Sequence, residues 1–149
     1  GGMAASSVPG MTSLSEASRS ADVIVRGRVS KLVPGLSGTQ TDFSVSDSIK
    51  GGSRSSISVV QSALIVPGPD WSSPRIAESD AGPMLLPGDE AVLMLQATPQ
   101  GTFIIQSYTG WYRVSGGRVA PSSKSPFGGT LMDTSPDSFV SLIRASAGQ

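Results

Sequence analysis

The chain has 149 residues, and its eleven basic and eleven acidic residues cancel to a formal net charge of zero. That length suits one domain with a single sizeable core, and a neutral chain has no general field to draw it to nucleic acid or an anionic membrane. Cysteine and histidine are both absent, which excludes disulfides, thiolate nucleophiles, sulfur-built zinc sites and the commonest general base.

The opening "GGMAASSVPG" reads as a tag remnant and lead-in, so residues 1–12 are expected to be flexible and 13–149 to form a single domain. Ser13 and Glu16 have capping-box spacing, in which the hydroxyl accepts a helical N–H and the carboxylate reaches back. A short helix over about Leu14 to Ser20 is predicted, with a serine-rich turn as the alternative.

Next comes "ADVIVRGRVSKLV". Period-2 counting puts Val23, Val25, Gly27 and Val29 on one face and Ile24, Arg26, Arg28 and Ser30 on the other. That is a half-buried strand. Gly27 lies on its apolar face, where a missing side chain permits sharp coiling or close approach by another backbone. Small closed barrels need such points.

"TDFSVSDSIKGG" alternates again, with Phe43, Val45 and Ile49 in one phase and Asp42, Ser44, Ser46 and Ser48 in the other. Asp47 falls in the apolar phase, which is awkward for a carboxylate. Either a bulge shifts the register there, or Asp47 sits at the barrel rim with a partner, the reading that the nearby "KGG" favours. If these two strands pair antiparallel, Arg26 and Arg28 are expected to meet Asp42 in a solvated cross-strand ion pair.

"SISVVQS" supplies a third strand with Ile57 and Val59 in phase. The stretch from Ala63 to Asp89 is irregular and holds Pro67, Pro69, Pro74, Pro83 and Pro87. Loops this long usually bind something or are disordered. Trp71 and Arg75 stand in it, and Trp71 either caps an open end of the core or offers a contact. "GDEAVLMLQ" reads as a central strand, and "GTFIIQS" follows a "TPQG" turn as its hairpin partner. "GWYRVSGGRVAP" reads as a hairpin about Gly116 and Gly117. Trp111 and Tyr112 there face opposite ways, so one of them must point away from the core. At the end, Ser135 as cap, Pro136 at the first helical position and Asp137 in the first turn start a helix. Phe139, Val140, Leu142 and Ile143 form its apolar face, which is expected to pack on the sheet.

The residue inventory narrows the chemistry. Neither a Ser–His–Asp nor a Cys–His arrangement can be built. A Ser–Lys dyad would need a desolvated lysine, yet Lys124 in "PSSKSP" reads as an exposed loop residue. Glu78 with Asp80, and Asp89 with Glu90, are acid pairs without the rest of a metal loop, and the second has ordinary turn composition. Aromatics make up only 5% of the chain and the arginines are dispersed, unlike the stacking, basic grooves of single-strand binders. No enzymatic activity, cofactor, metal or nucleic-acid partner is expected. No apolar run approaches the roughly 18 residues a membrane span needs.

The succession "SLSEASRSADVIVRGRV", "TDFSVSDSIKGG", "ISVV", "LLPGDEAVLMLQ" and "GTFII", spanning Ser13 to Ile105, resembles bacterial extracytoplasmic domains related to the tissue-inhibitor-of-metalloproteinase and netrin-like modules. The resemblance implies a mainly β fold: a small five-stranded OB-like barrel with a short N-terminal helix and a C-terminal helix. It transfers no functional residue, because animal members inhibit through an N-terminal cysteine on the catalytic zinc and this chain has none. The expected function is a non-enzymatic binding or accessory domain, secreted or on the cell surface, with a protein or cell-envelope ligand; a structural or assembly subunit of a surface layer or phage particle is the alternative. Its candidate contact surface comprises Trp71 and Arg75 on the long loop with Trp111 or Tyr112 nearby.

Overall fold

The computed structural model describes residues 14–35, 38–61, 65–66, 75–76, 84–122, 125 and 134–147. In chain order the elements are α1 (Leu14–Ser20), β1 (Val23–Gly35), β2 (Gly38–Lys50), β3 (Ser56–Gln61), the two-residue strands β4 (Ile65–Val66) and β5 (Arg75–Ile76), β6 (Glu90–Ala97) and β7 (Phe103–Ile105). A 3-10 turn (Ser107–Gly110), β8 (Trp111–Ser115), β9 (Arg118–Pro121) and α2 (Pro136–Ala147) complete them.

Five strands close on themselves in the order β1-β2-β3-β7-β6 and back to β1. Every pairing is antiparallel except β3 with β7, which run parallel. Strand β8 pairs with the first half of β6, beyond the end of β7, and β9 pairs with β8. The fold is therefore a mainly β, closed five-stranded barrel of OB-like type with one helix at each end of the chain. Strands β4 and β5 form a separate ribbon.

Alternation divides the apolar residues between two cores. Val23, Val25, Val29, Phe43, Ile57, Val59, Leu93, Leu95 and Trp111 fill the barrel, together with Leu85 from the segment ahead of β6. Ile24, Val92, Met94, Tyr112 and Val119 point out of it and are buried against Ala17 of α1 and Phe139, Val140 and Ile143 of α2. The unbroken apolar run "AVLML" thus belongs to a strand buried on both faces. Leu142, predicted for the buried face of α2, is exposed instead; Phe139, Val140 and Ile143 make the contact.

Gly27 does what its place in the pattern suggests. A Cβ there would stand 2.0 Å from the Ser44 carbonyl oxygen and 2.9 Å from the Phe43 ring, so the two long strands can coil together only over a bare backbone. The register of β1 against β2 shifts three times, between Ile24 and Val25, Arg26 and Gly27, and Val29 and Lys31. These bulges account for Asp47. Gly27 faces Val45 while Arg26 faces Asp47, leaving Ser46 as the extra residue. The bulge turns Asp47 to the outer face, where Arg144 of α2 donates to it. Further along, Ile49 leaves the phase of Phe43 and Val45 and packs against the second core.

The arginines find a different partner from the one expected. Arg28 lies opposite Glu90 across the β1–β6 ladder, whereas Asp42 lies opposite Lys31 beyond the last bulge. Glu90 accordingly receives Arg26 Nε at 2.8 Å and Arg28 Nη2 at 3.3 Å. Lys50, in the Lys–Gly pair that ends β2, donates from Nζ to the carbonyls of Ser18 and Arg19 at 3.0 and 2.9 Å. It satisfies the open end of α1, and Gly51 (φ 93°) lets the chain turn against Val23. A local motif therefore joins helix end, strand end and strand start.

Candidate functional site

The helices cover only one side of the barrel. Together α1 and α2 cover the outer face of β1, β6 and β8, and α2 reaches the end of β2 at Asp47 and Ile49; among the described residues no helix lies over the outer face formed by the first half of β2 and by β3. What the sequence places there is small and polar. Ser44 lies opposite Ser56, and Asp42 opposite Ser58, in the β2–β3 ladder; Ser30 donates from its hydroxyl to the Asp42 carbonyl at 3.0 Å.

A shallow groove of about 620 Å³ runs along this face. Its walls are Ser30, Asp42, Ser44, Ser56 and Ser58 on one side, with Arg54 and Gly101 at the rim. Its floor reaches Ile57 and Phe103, the two most exposed members of the barrel core at 8% each. They show because β3 and β7 are joined by two parallel pairs only, Val59 with Phe103 and Val60 with Ile104. The barrel is closed there by its shortest seam. Arg54 lies over the Phe103 ring, 5.1 Å from its centre, and donates to the Gly51 carbonyl at 3.2 Å. The Ser58 hydroxyl is buried without a hydrogen-bond partner, an unusual cost in a folded chain. Hydroxyls, one cation and one carboxylate over an apolar floor suit a polar, extended ligand and offer nothing resembling a nucleophile–base pair.

One end of the barrel next to this face is held by a buried amide. Gln61 donates to the Thr41 hydroxyl at 2.9 Å and the Leu85 carbonyl at 3.0 Å, and accepts from Leu85 N–H at 2.8 Å. The Gln61 side chain acts as a short piece of ladder, tying the segment before β6 to the end of β3.

Next to this face across the β1–β2 ladder, where Arg28 lies opposite Ser44, Arg26, Arg28, Asp89, Glu90 and Arg113 line a second groove of about 560 Å³ beside Pro136. Its charges are committed to each other. Besides the pairs to Glu90, Arg26 reaches Asp137 at 2.8 Å and Arg113 reaches Asp89 at 2.9 Å. Burial opposes the charge on Arg26, but its hydrogen bonds to Glu90 and Asp137 and the charges of those two carboxylates outweigh it, so its pKa is raised. This network holds α2 on the sheet and leaves no unpaired charge for a ligand.

Of the four residues expected to form a contact surface, the structure describes the side chains of two, Trp111 and Tyr112. Trp111 is 4% exposed in the barrel core and Tyr112 is 0% exposed in the second core. The two do face opposite ways, but the residue that points out of the barrel meets α2 rather than solvent. Tyr112 packs on Phe139 with ring centres 4.7 Å apart and donates its hydroxyl to the Thr109 carbonyl at 2.5 Å; burial pushes its phenol pKa up. Arg75 is described through its backbone in β5 alone, and Trp71 lies outside the described residues. The serines and Asp42 were visible in sequence as an outward phase, but nothing local says which outward face the helices leave open. Arg54 and Phe103 carried no signal at all.

Among the described residues no helix is long and apolar enough to cross a membrane, and no three acidic side chains gather into a cation-sized cluster. No protein-family model matches the chain, and no curated protein is similar enough to match it.

Proposed function

We propose that the chain is a non-enzymatic binding or accessory domain acting outside the cytoplasm, with the uncovered β2–β3 face as its ligand surface. The observation that carries this reading is the asymmetry of the barrel. One outer face is sealed by both helices, while the other holds a hydroxyl-lined groove over an open seam. Barrels of the OB type bind extended ligands across the corresponding face, next to the turn between their fourth and fifth strands. Here that turn is the segment carrying Gly101, at the groove's rim. The finer likeness to netrin-like and metalloproteinase-inhibitor modules draws support from the Lys50–Gly51 pair, whose structural task at the end of α1 gives a physical reason for that motif. An extracytoplasmic setting follows from that likeness.

Labelled protein applied to an array carrying both oligosaccharides and peptides tests the reading. Binding is expected to be lost in Ser44→Trp, which fills the groove, and kept in Leu142→Gln on the exposed side of α2. A silent array, or equal binding by the two variants, would overturn it.

A further inference from the structure

Strand β3 has two edges, and only one is fully used. Toward β2 it is paired from Ser56 to Gln61; toward β7 only Val59 and Val60 are paired. Val45 N–H donates to the Ser55 carbonyl at 2.9 Å, so alternation turns the backbone groups of Ser55 and Ile57 toward β2 and those of Ser56 and Ser58 away from it. The N–H and C=O of Ser56, and the N–H of Ser58, therefore face the seam ahead of the first parallel pair. Beneath them lie Ile57 and Phe103, and beside them the buried, unpartnered Ser58 hydroxyl. Arg54, at the head of the strand, makes no ion pair among the described residues.

We infer that an extended peptide segment of a partner protein adds to β3 along Ser55–Ser58, seating an apolar side chain on Phe103 and an acidic side chain on Arg54. This deepens the reading of the open face as a ligand surface and rests on it. A peptide is the fitting occupant because a bare strand edge offers donors and acceptors at backbone spacing, which another backbone matches residue for residue. Side chains of such a strand alternate, so one phase reaches the apolar floor and the other meets the polar rim. The charge is set by Arg54, whose guanidinium already lies over the Phe103 ring and has further donors to offer a carboxylate. In a second copy β3 itself carries serines and an isoleucine along this edge and no acidic residue for Arg54. The outer edge of β9 is in use, since Val119 N–H donates to the Thr134 carbonyl at 2.8 Å.

A displayed library of random linear peptides, selected against the whole chain, tests this. Enriched peptides are expected to carry an acidic residue and an apolar residue in alternating phase, and to lose binding when alternate peptide amides are N-methylated. Ser56→Pro removes a donor that the β2 ladder does not use, so the fold, checked by thermal melting, is expected to stand while peptide affinity falls on the order of tenfold or more. Arg54→Gln is expected to weaken acidic peptides by a similar factor and to leave neutral analogues unchanged. Selected peptides that tolerate both N-methylation and Ser56→Pro would overturn strand addition and leave the binding-domain reading intact. So would a chain that ignores peptides but binds oligosaccharides in a manner lost in Ser44→Trp. Self-association abolished by Ser56→Pro would make the occupant a second copy and overturn the partner-peptide assignment. Binding to neither library nor array would overturn both.

Discussion

Arg26 on the first strand and Asp137 in the first turn of the last helix meet at 2.8 Å, across 111 positions of chain. At the other end of the same helix Arg144 meets Asp47 on β2. Helix α2 is thus pinned to the barrel by a charge pair at each end, with Phe139, Val140 and Ile143 packed between. Both pairs use an outward-facing strand residue, and one of those, Asp47, faces outward only because Ser46 is bulged.

The two carboxylates around Arg26 are expected to matter unequally. The Asp137 side chain is 93% exposed, so solvent screens the pair and Asp137→Ala should cost at most about 1 kcal/mol. Glu90 is largely buried and serves both Arg26 and Arg28. Glu90→Ala leaves a half-buried guanidinium without its main acceptor and should cost on the order of 2 kcal/mol. Urea unfolding of the two variants checks the ranking, and equal losses would contradict it.

Glycines in this chain should respond to alanine according to what surrounds them. At Gly27 the new methyl would meet the Ser44 backbone, which cannot yield without breaking the β1–β2 ladder. Gly27→Ala should therefore destabilise by about 3 kcal/mol or more. Gly52 has φ 93° but open space around it, so Gly52→Ala should cost only the strain of a left-handed backbone, about 1–2 kcal/mol. Thermal melts of both variants are the measurement.

Stability should fall in alkali through Tyr112. Its folded phenol holds its proton above the ordinary value of 10.0 because burial opposes the charge. Above that pH the unfolded chain binds fewer protons than the folded one, so stability decreases as pH rises; below it the contribution is complete. The slope should approach about 1.4 kcal/mol per pH unit for this one group. Tyr112→Phe should remove that part of the slope, while losing roughly 1 kcal/mol at neutral pH from the hydrogen bond to Thr109. Urea midpoints on both sides of pH 10, compared between the two proteins, isolate the effect. A Tyr108→Phe background lets phenolate absorbance report Tyr112 alone.

Much of the barrel was legible before any coordinates. Val23, Val25 and Val29, Phe43 and Val45, and Ile57 and Val59 lie inside as their alternation requires, and Gly27 lies where two backbones touch. Alternation is a property of neighbouring residues, so it can be read wherever no residue is inserted. It slips at Ser46, where Asp47 in the apolar phase left a bulge as one of two readings, and around Ile49, because a bulge is decided jointly by two strands and cannot be placed from one alone.

The sequence by itself determined which side chains share a face, where α1 runs, and how α2 is capped: Ser135 accepts from Ser138 N–H at 3.2 Å, ahead of Pro136. Only the tertiary structure decided that Glu90 rather than Asp42 receives the arginines, that Trp111 and Tyr112 fill separate cores, and that the open face is the serine face of β2 and β3. The physical reason is one of range. Faces and caps depend on residues within a turn or a pleat of each other, whereas cover depends on where a helix more than a hundred residues away finds its apolar stripe matched.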